Sequence, residues 1–345
     1  MKHNWEYKQL GDICKIYQPK TISSSDLVEN GEYDVFGANG IIGKYTSYNH
    51  EFPEILLTCR GATCGTINVS NPKSWVNGNA MVIHSKSDML LFNYLRYAMT
   101  SLDYSNIITG AAQPQITRQS LSPTNIPVPP MQVQEQIVAE LDKINEVIED
   151  CRELLRNLDV LAQSLFYDYF GDPVTNPKGW DIKKFHEVFK LSSGDGLSAK
   201  QIMQGKYPVY GGNGIVGHHY TYNIKGQNII IGRVGALCGN VRLVIGNAFI
   251  TDNAFITFLN ENLNLLFISH LLTIINLHQY AKAVAQPVIS NASLKNIMII
   301  LPPLSLQDKF AARIEQIEAQ KKAVEQTIAE LQTLLDSRMD YWFND

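Results

Sequence analysis

Two stretches of this sequence have the residue types of a phosphate cradle. Residues 35–45 read VFGANGIIGKY and residues 209–219 read VYGGNGIVGHH. Glycines let backbone amides approach a phosphate closely when the loop runs into a helix, whose N-terminus adds a positive dipole. Here the residues that follow are KYTSYNHEF and HHYTYNIKG, polar and β-branched, without the amphipathic period of such a helix. Both stretches are therefore expected to be tight turns between strands, with Asn39-Gly40 and Asn213-Gly214 supplying the positive φ angles.

Methyl transfer is the enzymatic alternative. Amino-methyltransferases of DNA carry a [DN]PP[YF] tetrapeptide, whose first side chain and backbone carbonyl accept the target amino group. The double prolines here read VPPM and LPPL, and NPK at 71–73 and 176–178 lacks both the second proline and the aromatic. Neither paired carboxylates nor an HExxH, GxSxG or Walker pattern is found. The five cysteines, Cys14, Cys59, Cys64, Cys151 and Cys238, are odd in number and lack CxxC spacing, so they are expected to be reduced thiols rather than disulfides or zinc ligands. No catalytic residue, cofactor site or metal ligand is assigned. The chain has the character of a reader.

Arg60 and Arg233 follow the short apolar runs ILLTC and IIIG in glycine-rich turns. An arginine there can engage a phosphate or a guanine edge, or form a structural salt bridge. Gln113 and Gln286 can pair with adenine, but standing beside proline at both places they read better as a shared loop structure. Tyr45, Tyr48, Tyr104, Tyr220, Tyr222 and Tyr280 can stack on bases, with the core the commoner destination for a single tyrosine.

These features come in pairs because the whole chain is a tandem repeat. Ile55 to Asn68 (ILLTCRGATCGTIN) returns as Ile229 to Arg242 (IIIGRVGALCGNVR), and Asn79-Ala80 as Asn253-Ala254. Ala112-Gln113-Pro114 returns as Ala285-Gln286-Pro287, and Pro129-Pro130 as Pro302-Pro303. So long a period means two whole domains rather than a solenoid. Base reading is expected where the copies differ, at residues 17–32 against 192–206 and 101–111 against 276–284.

Each copy ends in a heptad seam. The first comprises Ile137, Leu141, Ile144, Ile148, Cys151, Leu155, Leu158, Ala162 and Leu165; the second, displaced by 173 residues, comprises Phe310, Ile314, Ile317, Lys321, Val324, Ile328, Leu331, Leu335 and Arg338. Only Lys321 and Arg338 break it. A double proline can lead into a helix but not lie inside one, and Gly171-Asp172-Pro173 is a stop, so the first helix is expected over about 131–169. The expected organisation is a globular domain over 1–130, a helix over 131–170, a second domain over 171–303 and a last helix over 304–345. The fold class is α/β of the α+β kind: two globular domains joined by two long antiparallel coiled-coil helices with pseudo-two-fold symmetry.

The net charge of -4 is unevenly placed. Residues 131–170 carry three basic and nine acidic side chains, whereas residues 171–303 carry eleven basic and six acidic ones. Acidic helices suit a solvated spacer, and neutral to basic globular parts are free to meet phosphate. No run reaches the length of a membrane span, and the start MKHNWEYKQL lacks the apolar core of a signal peptide, so a cytoplasmic protein is expected.

A globular domain ending in IPVPPMQVQEQI and a heptad helix, then the same order ending in ILPPLSLQDKF, resembles the specificity subunit of type I restriction-modification systems. The resemblance spans essentially the whole chain and includes the AQPxI segments; Lys309 departs from it where the first copy has Gln136. It implies two target recognition domains, each reading one part of an asymmetric bipartite site in double-stranded DNA, with the helices as a ruler. The candidate DNA contacts are Lys44, Arg60, Arg118, Lys206, His218, His219, Arg233 and Lys282. The resemblance also implies no catalysis or cofactor on this chain, two methyltransferase subunits using S-adenosylmethionine, and a restriction subunit using ATP and Mg2+. Two other readings are a specificity component of a fused methyltransferase-nuclease system and a coiled-coil scaffold whose globular ends bind proteins; the scaffold predicts no salt-dependent DNA affinity.

Overall fold

The structure is a computed structural model that describes residues 5–110, 113–198, 201–202, 205–282 and 286–344. The chain divides into two units, Met1–Asp150 with Thr327–Asp345, and Cys151–Gln326. In the first, the order is β1 (Glu6–Gln9), α1 (Leu10–Ile13), β2 (Cys14–Tyr17), β3 (Tyr33–Gly37), β4 (Gly40–Tyr45), β5 (Ile55–Thr58), β6 (Ile67–Val69), β7 (Trp75–Val76), β8 (Ala80–Ser85), α2 (Phe92–Ser101), α3 (Arg118–Leu121), β9 (Asn125–Val128) and the start of α4 (Met131–Phe170). Four antiparallel strands lie in the order β2-β8-β5-β6; β4-β3-β7 form a second sheet with β3 parallel to β7; β1 and β9 make an antiparallel ribbon.

The sequence of β5, ILLT, is apolar without alternation because both of its faces are covered. Ile55 and Leu57 enter the main core with Met81, Tyr94, Leu95 and Ile126, while Leu56 enters a smaller one with Phe36, Val76 and Val82. Fully burying a side chain of this size contributes roughly 1.5–3 kcal/mol.

The second unit repeats this plan. After the end of α4 come β10 (Asp181–Lys184), α5 (Phe185–Val188), β11 (Phe189–Ser193), β12 (Tyr207–Gly211), β13 (Gly214–His219), β14 (Gln227–Gly232), β15 (Val241–Ile245), β16 (Phe249–Ile250), β17 (Ala254–Leu259), α6 (Leu265–Ile275), α7 (Asn291–Leu294), β18 (Met298–Leu301) and α8 (Leu304–Phe343). The strand orders β11-β17-β14-β15, β13-β12-β16 and β10-β18 match those of the first unit strand for strand.

Each long helix starts directly after its double proline and is fixed there by one buried glutamine. The Gln134 carboxamide donates to the carbonyls of Met89 (2.9 Å) and Pro129 (3.0 Å) and accepts from the amide of Leu91 (2.9 Å). Gln307 does the same with the Pro302 carbonyl (2.7 Å) and the Asn264 amide (2.9 Å). Both side chains are sealed from solvent, where unmade hydrogen bonds would be costly.

The heptad positions form the inward stripe of the helices. Ile137, Leu141, Ile144, Ile148, Leu158 and Ala162 of α4 are buried, as are Phe310, Ile314 and Ile317 of α8; Cys151, Leu155, Leu165, Val324, Ile328, Leu331 and Leu335 are half-buried. Within the second unit Phe166 and Phe170 pack on Phe310 while Asp159 meets Lys321 at 2.8 Å, so the two helices run antiparallel there. Both breaks in the seam are charge-compensated from α4. Lys321 pairs with Asp159 and, along its own helix, with Glu318 (3.1 Å). In the first unit Arg338 lies over the Tyr341 ring and forks onto Glu140, which also accepts from Trp342 Nε1 at 2.9 Å. These donors hold the Glu140 carboxyl below its usual value.

Candidate nucleic-acid interface

Both glycine stretches are strand-turn-strand hairpins, β3 to β4 and β12 to β13, and no helix follows either. At the turns the positive φ angles fall on Gly40 (114°) and Gly214 (124°), with Gly43 (159°) and Gly217 (155°) also positive further along the return strands. Asn39 and Asn213 were expected to share them and do not, because the two-residue turn is made before the glycine, which opens the return strand. In both hairpins the register slips by one residue just beyond it. The added residue is Ile42 in one and Val216 in the other, and the bulge leaves two neighbouring aliphatics outside: Ile41 and Ile42 are 55% and 51% exposed, Ile215 and Val216 58% and 52%.

The turn is tied to the sheet behind it. The Ala38 carbonyl accepts from the Thr58 hydroxyl and from Asn68 Nδ2 (3.4 Å), and the Thr63 hydroxyl donates to Asn39 Oδ1 at 2.5 Å. In the second unit Arg242, at the place of Asn68, donates from Nη2 to the Asn213 carbonyl at 2.9 Å. The third repeated motif closes on the same place. Gly61 N donates to the Pro114 carbonyl (3.0 Å) and Ile116 N to the Cys59 carbonyl (3.0 Å); in the second unit Gly235 N reaches Pro287 (3.0 Å) and Ile289 N reaches Arg233 (2.8 Å). Motifs some fifty residues apart in sequence thus form one loop cluster per unit. Ala112 and Ala285 of the AQP segments, and residues 111, 199–200, 203–204 and 283–284 of the divergent stretches, lie outside the described residues.

The candidate contact residues fall into three groups. Arg60, Arg118, Lys206, His218 and Lys282 are exposed. Lys44, two residues beyond Ile42 on the hairpin, is also exposed and lies 3.5 Å from Asp34. His219 and Arg233 are more enclosed. His219 Nδ1 accepts from the Thr221 amide at 3.1 Å and the ring packs near Phe249. Arg233 donates from Nη1 to Ser193 Oγ (2.8 Å) and to the Asp252 carbonyl (2.9 Å), with its guanidinium 4.5 Å from the centre of the Phe255 ring. Arg60, one position further along the repeat, makes no side-chain hydrogen bond or ion pair among the described residues.

The tyrosines divide likewise. Tyr104 is buried, donating to the Met99 carbonyl at 2.8 Å, and Tyr280 packs against the second core. Tyr45 meets Trp75 edge-on, whereas Tyr48, Tyr220 and Tyr222 remain exposed. Cys64 and Cys238, in the two glycine turns, have thiols pushed above their ordinary value by burial, which keeps them neutral and poorly nucleophilic at neutral pH. Among the described residues no group of three or more His, Cys, Asp or Glu is placed to hold a metal. The cluster offers hydrogen-bond donors, cations and apolar tips. Sequence reasoning missed the glutamine clamps, the Thr63–Asn39 contact and the exposed aliphatic pair, although the doubled IIG and IVG after the turn signalled the last.

Residues 2–156 and 177–333 match the model of the type I restriction modification DNA specificity domain. The chain is 29% identical over 195 residues to the EcoprrI specificity subunit of a type I restriction enzyme from Escherichia coli, covering 54% of this chain and 48% of that one. It is 21% identical over 340 residues to a putative type I specificity subunit from Mycoplasma pneumoniae, covering 90% and 88% of the two. Its fold is that of the S subunit crystal structure from M. genitalium, with a TM-score of 0.62 at 17% identity and coverage of 99% and 96%. With the family model matched across both units, the chain belongs to the type I restriction-modification DNA specificity family.

Proposed function

We propose that the chain is the DNA-reading subunit of a type I restriction-modification complex, each unit reading one part of an asymmetric bipartite duplex target. The observation that carries this is the loop cluster built twice from repeated motifs and flanked in each unit by segments that differ, residues 17–32 against 192–206 and 101–111 against 276–284. Repeated parts suit what all duplexes share, phosphate and sugar; divergent parts suit base edges. Lys44, Arg60, Arg118, Lys206, His218, His219 and Lys282 are the proposed contacts, and Arg233 acts mainly through the loop it holds. The forty-residue lengths of α4 and α8, about 60 Å each at 1.5 Å per residue, support a spacer that sets the distance between half-sites.

The chain performs no chemistry in this reading. Adenine methylation falls to two methyltransferase subunits using S-adenosylmethionine, and cleavage to a restriction subunit using ATP and Mg2+, all in the cytoplasm. Exposed Leu154, Val160, Leu161 and Tyr167 on the outer side of α4 support a protein partner. No helix among the described residues is long and apolar enough to cross a membrane.

The test is to co-express the chain with its methyltransferase and map methylated adenines across the host genome, with the chain omitted as control. A split, asymmetric motif that depends on the chain is expected. A stable complex that adds no methylation, and whose DNA affinity is indifferent to salt, would sink the reading in favour of a protein scaffold.

A further inference from the structure

We propose that the aliphatic pairs at the hairpin tips, Ile41-Ile42 and Ile215-Val216, are wedges that grip duplex DNA without reading its sequence. This rests on the reading of the chain as a DNA specificity subunit and names a contact within it. Single exposed aliphatics are ordinary on a protein surface. Here two adjacent ones protrude, and an aliphatic pair, Ile-Ile in one unit and Ile-Val in the other, stands at the same place in both.

The fold positions them. Gly37 and Gly211 lie across the hairpin from the bulged residue, where a Cβ would come within 2.7 Å of Ile42 Cγ2 and 3.1 Å of Val216 Cγ1. Without a side chain at those glycines, Ile42 and Val216 lie over the hairpin in a defined place. The turn carbonyls tied down by Thr58, Asn68 and Arg242 remove the freedom a hairpin tip otherwise has. Binding then orders little that is not already ordered.

Chemistry and duplication together identify the occupant. Two residues beyond each bulged aliphatic stands an exposed polar side chain able to meet a phosphate, Lys44 or His218. Apolar side chains against sugars or a base step, flanked by a cation for phosphate, are a recurring way to hold a duplex by shape. A device present in both units cannot distinguish two different half-sites, so its contact is independent of base identity. A narrow tip bearing two side chains is also far smaller than the roughly 800 Å² per partner of a stable protein interface.

The experiment uses the full chain assembled with its methyltransferase. Ile41→Ser with Ile42→Ser, and separately Ile215→Ser with Val216→Ser, are compared with wild type for affinity to cognate and unrelated duplexes over a salt series and for the genomic methylation motif. Each double variant is expected to lose affinity about ten-fold for both duplexes, with the motif and the salt dependence unchanged. Lys44→Ala is expected instead to reduce the slope of log affinity against log salt by about one. Unchanged affinity overturns the wedge, as does loss of the methyltransferase from the complex, which marks a protein contact. Loss confined to one half-site sequence overturns it in favour of a base reader. Wild-type complex without salt-dependent DNA affinity removes the functional reading itself.

Discussion

Arg60 and Arg233 each follow the same apolar strand of their unit, but one position apart in the repeat, Arg233 standing at the place of Cys59 and Arg60 at that of Val234, and they have different surroundings. Arg233 is held by Ser193, the Asp252 carbonyl and the Phe255 ring, and where the second unit has Phe255 the first has Met81. Arg60 is exposed, with no side-chain partner among the described residues. Arg233→Ala is therefore expected to destabilise the chain by about 1–3 kcal/mol, since it removes a stacked cation and two donors from a loop junction. Arg60→Ala should leave the melting temperature within about a degree and lower DNA affinity with a shallower salt slope. Denaturant melts and salt-series binding separate the two; equal effects on stability would refute the distinction. The sequence could show an arginine after an apolar run twice. It could not show which guanidinium was occupied, because that depends on an aromatic ring on a strand more than twenty residues away.

At the scale of elements, period and punctuation were legible. Double proline, heptad and glycine stop placed α4 within a residue of its observed end, and the NG turns placed two hairpins. What could not be read was how the charged seam positions are satisfied, since Asp159 and Glu140 lie on a distant stretch of chain. In the second unit His270 of α6 sits beside this polar layer, with Glu318 and Lys321 of α8 and Asp159 of α4 around it. Burial lowers its pKa below the ordinary imidazole value of 6.5; Glu318 and Asp159 oppose that shift and Lys321 adds to it. The unfolded chain therefore takes up the proton more readily. His270 contributes stability that is present above about pH 6.5 and lost as pH falls through its lower folded value. Wild type should melt at a lower temperature at pH 5.5 than at pH 7.5 by more than His270→Gln does; parallel losses in the two proteins would assign the acid sensitivity elsewhere.

For the whole molecule, self-similarity carried the reading. A repeat that recurs over the full length predicts two copies of one fold, and the strand orders of the two units agree throughout. The bases that the proposed recognition domains would read are not legible, since one sequence does not show which side chains of the divergent loops point outward. If α4 and α8 act as a spacer, removing one heptad from both shortens each by about 10 Å, or about three base pairs of duplex. Genomic methylation mapping should then return the same two half-sites with a correspondingly shorter gap, and an unaltered gap would refute the ruler.

The glutamine clamps bear on how such a chain diversifies. Gln134 and Gln307 reach only main-chain atoms of the globular part, two carbonyls and an amide in one case, a carbonyl and an amide in the other. Any sequence supplies those atoms provided its chain passes through the same place. A genetic crossover just before the double proline would carry helix and glutamine together, and the glutamine would ask an unrelated head for no matching side chain, whereas Asp142 also takes hydrogen bonds from Asn93, Arg96 and Tyr97, and Asp308 from Asn264. The glutamine's part of the socket is thus indifferent to head sequence, and exchange at this junction asks compatibility only of the few side chains, such as Asn93, Tyr97 and Asn264, that meet the helix directly.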